Sequence, residues 1–373
     1  MRKLTVVQLL PALHAGGVER STLEIAGALA RKGHRAIVVS AGGRLVKPLL
    51  DAGGEHLTLD IGRKSLLTLR HMPTLRQLFT EVGADIVHAR SRLPAWLGHR
   101  AVLSMSASQR PAWVTTVHGL NSPGRYSGIM TSGQRVICVS DTVRAYVQQH
   151  YPQVPAERLV VIPRGVDLAA FGRRPRPDRA ARRAVVAQHP ALAGDGPLLL
   201  LPGRGTRLKG HAQAVALLAG LHSAGVQARL WMPGAVEEGR QAYLAELMAE
   251  AGRLGVADAV LATPATDHIA QAYAAADLVL QLSSKPEAFG RTVVEALAVG
   301  CPVLGWAHGG VGELLARLQP AGAVPPGDLP ALLATAQALL SSPPRPPAHI
   351  RYTLQAMQQA TLELYEQLAV RPR

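Results

Sequence analysis

The chain has 373 residues, 48% hydrophobic and 17% charged, with 40 Lys and Arg against 25 Asp and Glu, a formal net charge of +15. That length exceeds one ordinary core and the apolar content supplies two, so two domains are expected and a disordered chain is excluded. Two cysteines rule out a disulfide framework, and no run of about 18 apolar residues offers a bilayer span.

The first stretch, MRKLTVVQLLPALHAGG, puts charge before an apolar run as a signal peptide does. Pro11 and His14 interrupt that run, and GGVER stands where a small-residue cleavage site is needed. A first buried strand is therefore expected. The helix STLEIAGALARKG follows, closed by Gly33, and then the strands RAIVVSAG, DIVHAR, AWVTTVHG and RVICVSD. A Pro, Arg and Gly-rich segment, FGRRPRPDRAARRAVVAQHPALAGDGP, reads as a linker leading into a helical entry. The alternation then restarts with PLLLLPG, a helix through AVALLAGLHSAG, and the strands QARLWMPG, AVLATP, DLVLQLS and CPVLGWA. Strand–helix alternation at this spacing implies parallel sheets flanked by helices, here twice. A proline-stopped helix over PPGDLPALLATAQALLSSPP and a last helix with Leu354, Met357, Thr361, Leu364 and Leu368 on one face end the chain. The expected division is 1–170, 171–345 and a terminal helix in 346–373 that returns to the first domain. Cys138 and Cys301 each sit in an apolar run and read as small core hydrophobes in a reducing compartment.

Three loops follow strands, where open parallel sheets keep their ligand sites. In PALHAGGVERST, Gly16 and Gly17 let backbone amides approach a ligand at the start of a helix. Alone, such a diglycine is an ordinary structural turn. In PGRGTRLKGH, Arg204 and Lys209 lie in a glycine-broken loop and together suit a diphosphate. A solvated basic turn is the alternative, and a Walker loop is excluded by the spacing. In PEAFGRTVVEALAVG, Glu287 precedes a helix and Glu295 lies on its second turn. Buried acids need partners, and two carboxylates of this kind suit the vicinal hydroxyls of a sugar or ribose.

Taken together, these segments resemble the GT-B retaining glycosyltransferases of family 4, of the bacterial lipopolysaccharide and surface-glycan type. The resemblance rests on GGVE (Gly16–Glu19), TVHG (Thr116–Gly119), VSD (Val139–Asp141), VIPRGVDLAAF (Val161–Phe171), GRGTRLKG, PEAFGRTVVEA, GGVGE (Gly309–Glu313) and AVPPGD (Ala323–Asp328). It spans nearly the whole chain and departs from the family at Arg164, where Asn is usual. It implies an α/β fold of two Rossmann-like, doubly wound domains facing each other across a cleft. His118, Glu287, Arg204 and Lys209 would carry the reaction, with His118 contacting the donor sugar from the first domain. Gly16, Gly17, Glu19, Phe289, Gly290, Arg291, Thr292 and Glu295 would bind substrate, with the amides of Phe289–Thr292 toward the diphosphate, Glu295 on the ribose hydroxyls and Glu287 on the donor sugar. GGVGE would form a loop. The donor would be a nucleotide-diphosphate sugar, a UDP-sugar first among them. No other cofactor is expected, and no Asp-x-Asp is present to hold a metal.

Residues 1–150 carry 19 Lys and Arg against 8 Asp and Glu, whereas residues 201–350 carry 10 against 11. A basic first half fits a phosphorylated, lipid-linked glycan acceptor and an anionic membrane surface, hence a cytoplasmic enzyme peripheral on the inner membrane face. A genome rich in arginine codons would produce the same excess. A GT-B epimerase would share the fold but not the two-glutamate context. A nucleic-acid-binding protein would explain the charge, but at 4% aromatics no stacking platform is visible, so no nucleic acid is expected. A Rossmann dehydrogenase lacks its third glycine.

Overall fold

A computed structural model describes residues 2–14 and 16–370. The chain forms two compact units: one runs up to Gly165 and resumes at Leu354, the other is Val166–Thr353.

The first unit is built on a seven-stranded sheet: β1 (Thr5–Leu9), β2 (Arg35–Ser40), β3 (Glu55–Thr58), β4 (Ile86–Ala89), β5 (Ala112–Val117), β6 (Arg135–Cys138) and β7 (Leu159–Val161). Its order is β3-β2-β1-β4-β5-β6-β7, all pairs parallel. Register is plain at the centre, where Val6 lies between Ala36 and Ile86. Helices cover both faces of such a sheet, so its inner strands read as unbroken apolar runs: Val6, Val7 and Leu9 are fully buried. The helix Gly17–Arg31 ends where Gly33, at φ 78°, donates to Ala30 O and turns the chain into β2.

The terminal helix Leu354–Val370 belongs to this first unit. Met357, Leu364, Tyr365 and Leu368 join the core cluster that holds Ile25, Leu29 and Val38. Gln358 Nε2 adds a bond of 2.8 Å to Glu24 O. Each fully buried side chain of this size contributes about 1.5–3 kcal/mol, so truncating Tyr365 is the single change that would loosen the helix most.

The second unit has six parallel strands: β8 (Leu198–Leu200), β9 (Arg229–Pro233), β10 (Val260–Thr263), β11 (Leu278–Gln281), β12 (Val303–Trp306) and β13 (Ala323–Val324), ordered β10-β9-β8-β11-β12-β13. Both sheets reverse their winding once, between β1 and β4 and between β8 and β11. The C-terminal ends of those strand pairs are where doubly wound sheets present ligand sites.

Two strands carry no signal in the apolar alternation. β3 (EHLT) is an edge strand with most of its residues exposed, and β13 is two residues long. A correction concerns GGVGE, expected as a loop: it opens the helix Gly309–Leu318. Gly309 and Gly310 are needed there, since a Cβ would stand 2.7 Å from Glu287 O and 2.5 Å from Phe289 Cα. Among the described residues no helix is long and apolar enough to cross a membrane.

Candidate functional site

In the second unit, β8 runs into a loop whose glycines are dictated by contact. A Cβ on Gly205 would lie 2.2 Å from Ala235 O, and one on Gly210 would lie 2.1 Å from Leu282 O. Gly210, at φ 79°, ends the turn Arg207–Lys209 and starts the helix His211–Ser223. This tight path carries Lys209 to the loop after β11, where its Nζ donates to Glu287 Oε1 at 2.5 Å. Ser283 Oγ donates to the same oxygen at 2.6 Å. The side chains of the pair are 30% and 23% exposed, so the two charges neutralise each other at a wet edge. Arg204 is exposed on the same loop as Lys209, with no side-chain partner among the described residues.

Beyond Glu287 the chain turns through Gly290, at φ 94°, into the helix Arg291–Val299. A Cβ on Gly290 would press on Val311 Cγ2 at 2.8 Å. Phe289 is buried edge-on against Tyr352, so its side chain anchors the loop and its backbone stays at the helix head. Arg291 and Thr292 lie half-buried in the first turn, whose free amides and positive dipole end favour an anion. Glu295, one turn further, is 7% exposed, and its Oε2 accepts from Tyr273 Oη at 2.9 Å. Burial, then the neighbouring Glu295 carboxylate, pushes the Tyr273 phenol well above its ordinary range, so it stays a donor. Glu287 and Glu295 thus stand in two separate bonding groups.

In the first unit, Gly16 and Gly17 are exposed at the head of the helix Gly17–Arg31. A Cβ on Gly16 would come within 2.5 Å of Glu19 Oε2, so that carboxylate folds back over the diglycine and already serves the helix dipole. An incoming anion at those amides must displace it.

His118 directly follows β5 and meets a cluster for which nothing in the loop spacing prepares. Arg90, 4% exposed, emerges from β4 at the winding reversal and donates through Nε to Gln8 Oε1 at 2.7 Å and through Nη1 to Ser21 Oγ at 3.3 Å. His88, fully buried, bonds Tyr365 Oη and Thr116 Oγ1, each at 2.6 Å. Arg164 Nη2 donates to His118 Nδ1 at 2.6 Å. Burial first, then the Arg164 and Arg90 guanidiniums, hold His118 well below the ordinary imidazole range; burial and the same two arginines do so for His88. His88, Tyr273, Ser283 and Tyr365 are missing from the sequence-derived set; Arg164 stood there only as a departure from the family, and Arg90, expected with the basic residues that an acceptor or membrane would meet, is instead buried at 4% exposure. The available signal was an arginine and a histidine inside an apolar strand end, DIVHAR, at the sheet's reversal.

Two family models match this chain in succession: Glycosyltransferase Family 4 over residues 15–170 and Glycosyl transferases group 1 over residues 185–355. A D-inositol 3-phosphate glycosyltransferase from Xylanimonas cellulosilytica is 30% identical over 333 residues, covering 80% of this chain and 76% of that protein. This chain belongs to the family 4 glycosyltransferases. A crystal structure of a glycosyltransferase from Rickettsia africae superposes with a TM-score of 0.86 at 25% identity, covering all of both chains. Anabaena HepE, solved in complex with UDP and glucose, superposes with a TM-score of 0.77 at 21% identity over 98% of this chain and 100% of its own. The fold is therefore GT-B, and the protein is an enzyme that transfers a glycosyl group. The family 4 model spans Gly16, Arg90, His118 and Arg164, and the group 1 model spans Arg204, Lys209, Glu287 and Glu295.

Proposed function

We propose that this glycosyltransferase moves a sugar, with retention at the anomeric carbon, from a nucleotide-diphosphate donor to a hydroxyl of an anionic acceptor. The observation that carries the reading is the Lys209–Glu287 pair at 2.5 Å, set between the loop after β8 and the head of the helix Arg291–Val299. In it the cation that suits a diphosphate and the carboxylate that suits sugar hydroxyls meet at one point. Lys209 and Arg204 take the phosphate charge and Glu287 the donor sugar. Glu295 and the amides of Phe289–Thr292 complete the donor surface.

In the step proposed, the bond from the anomeric carbon to the diphosphate oxygen breaks. The acceptor oxygen bonds to the same face of the sugar, and its proton passes to the departing diphosphate. No protein nucleophile is required, and Lys209 with Arg204 supplies the charge stabilisation a metal would otherwise give. The donor reading of UDP draws on HepE, of the same fold, in complex with UDP and glucose.

For the acceptor, the excess of 19 basic over 8 acidic residues in 1–150 favours a phosphorylated glycan such as lipopolysaccharide core. The name of the Xylanimonas relative favours a second reading, D-inositol 3-phosphate. For a lipid-linked acceptor, attachment to the inner membrane face fits the segment that holds Arg63, Lys64 and Arg70. Leu67 and Leu69 stand 68% and 48% exposed between these cations, an apolar edge inside a basic rim.

The test is transfer by the purified protein from UDP-, GDP- and ADP-sugars to lipopolysaccharide core and to D-inositol 3-phosphate, with and without EDTA. Release of a nucleoside diphosphate in step with an α-linked product from an α-linked donor, undiminished by EDTA, supports the reading. An inverted product, or loss of activity restored only by Mg²⁺ or Mn²⁺, overturns it.

A further inference from the structure

Four groups face His118 from the elements packed around it: Arg90 and His88 from β4 and its end, Thr116 from β5, and Arg164 from the segment after β7. Tyr365 of the terminal helix closes the far side through His88, and Glu24 of the first helix acts on Arg90. Guanidinium nitrogen has no acceptor capacity, so the 2.6 Å contact between Arg164 Nη2 and His118 Nδ1 has only one possible direction. Nδ1 accepts, and the single ring proton of a neutral imidazole must then sit on Nε2. That nitrogen is enclosed and has no hydrogen-bond partner among the described residues, and the same holds for Arg90 Nη2. Both residues line one cavity of about 20 Å³, together with Ser21, Thr116 and Thr361.

We propose that Arg164 is a positioning residue that locks His118 in its Nε2–H tautomer, making the ring a hydrogen-bond donor that works beside Arg90 Nη2 and not a general base. Two unpartnered donors on residues that line one small space suit a single oxygen acceptor, which here is one hydroxyl of the sugar handled by this unit. This last step rests on the sugar-binding role given to His118 above; the tautomer itself does not. Protonating the ring requires breaking the Arg164 bond and placing a third positive charge beside two guanidiniums. The ring therefore stays neutral through the working range of pH, which agrees with the direction in which its surroundings move it.

The experiment is ¹⁵N-histidine NMR of the full chain from pH 5 to 8.5, with the His118 signal assigned by its disappearance in His118→Gln. The expected spectrum is a non-titrating ring with its proton on Nε2. In Arg164→Leu the same ring should titrate nearer its ordinary value and populate both tautomers. Arg164→Gln, which keeps a donor but loses the charge, should retain the Nε2–H tautomer while regaining titration. A wild-type ring that protonates near pH 6.5, or one protonated on Nδ1, overturns the proposal. So does an Arg164→Leu spectrum identical to wild type. Should Arg164→Leu fail to fold by circular dichroism, the wild-type spectrum and Arg164→Gln decide alone. Transfer by His118→Gln at the wild-type rate would overturn the sugar-binding role and leave the tautomer result standing.

Discussion

The two sheets end in opposite kinds of chemistry at equivalent places. At the β1/β4 reversal of the first unit, two guanidiniums and two neutral imidazoles are packed among Gln8, Ser21, Thr116 and Tyr365, and their geometry is imposed by the core. At the β8/β11 reversal of the second, a half-exposed lysine and glutamate neutralise each other across two loops, beside an exposed Arg204. A buried cation costs stability where its bonds are not met; Gln8 and Ser21 hold Arg90 in place while its Nη2 stays without a partner among the described residues, so the first edge is fixed by packing and keeps an unused donor. An ion pair at a wet edge contributes little to stability and is easily exchanged for a ligand. One edge is held by its packing, and the other is charged and open to solvent.

The largest effect expected from this contrast is on turnover at the wet edge. Lys209→Ala and Arg204→Ala should each lower transfer by about two orders of magnitude or more, the cost of losing one preorganised charge donor. The melting temperature should stay within a few degrees of wild type. Steady-state kinetics beside thermal unfolding checks this, and a variant that loses activity only by unfolding would erase the distinction between the edges.

The rigid edge should instead be seen in the pH dependence of stability. His88 and His118 have folded-state values held below the unfolded value, so below about pH 6.5 the unfolded chain binds protons that the native state refuses. Stability is then complete above pH 7 and falls as pH drops through 6.5 and below. The slope is up to about 1.4 kcal/mol per pH unit for each histidine. Urea midpoints between pH 5 and 8 measure it; a flat profile, or one that rises toward acid, contradicts the account.

Tyr273→Phe sharpens the comparison from inside the second unit. It removes one buried bond to Glu295 and leaves ring packing against Phe171, so donor affinity should fall by roughly five- to tenfold, within the net worth of about 0.5–1.5 kcal/mol of a typical protein hydrogen bond. Calorimetry with UDP reports the change; unaltered affinity would detach Glu295 from the nucleotide.

The smallest effect concerns the basic surface. Anionic vesicles should bind the wild-type chain more weakly as salt rises, each cation contributing about 1 kcal/mol, and Leu67→Ser with Leu69→Ser should weaken binding severalfold. Sedimentation with neutral and anionic vesicles checks this, and indifference to lipid charge or salt refutes it.

The wet edge was open to sequence reading because its residues are loop residues of unusual type: glycines between cations, and acids flanking a helix head. The buried edge was largely hidden. Arg90 and His88 lie in the strand DIVHAR, whose apolar pattern reports only a strand, and their partners come from residues as distant as Gln8 and Tyr365. The partial exception is His118, which stood at a strand end.

Sequence by itself determined two doubly wound units and the terminal helix face, because apolar periodicity reflects burial that each strand and helix needs locally. It also showed a glycine-broken loop after β8, but the contacts that require Gly205 and Gly210, with Ala235 O and Leu282 O, are tertiary. Tertiary structure decided the rest. It placed Lys209 against Glu287, 78 residues away, and drew Arg164 onto His118, 46 residues away. It also turned GGVGE into a helix start seated on the Glu287 loop. Periodicity carries no record of such contacts, because the choice of partner across a sheet edge depends on strand order and not on any residue's own preference.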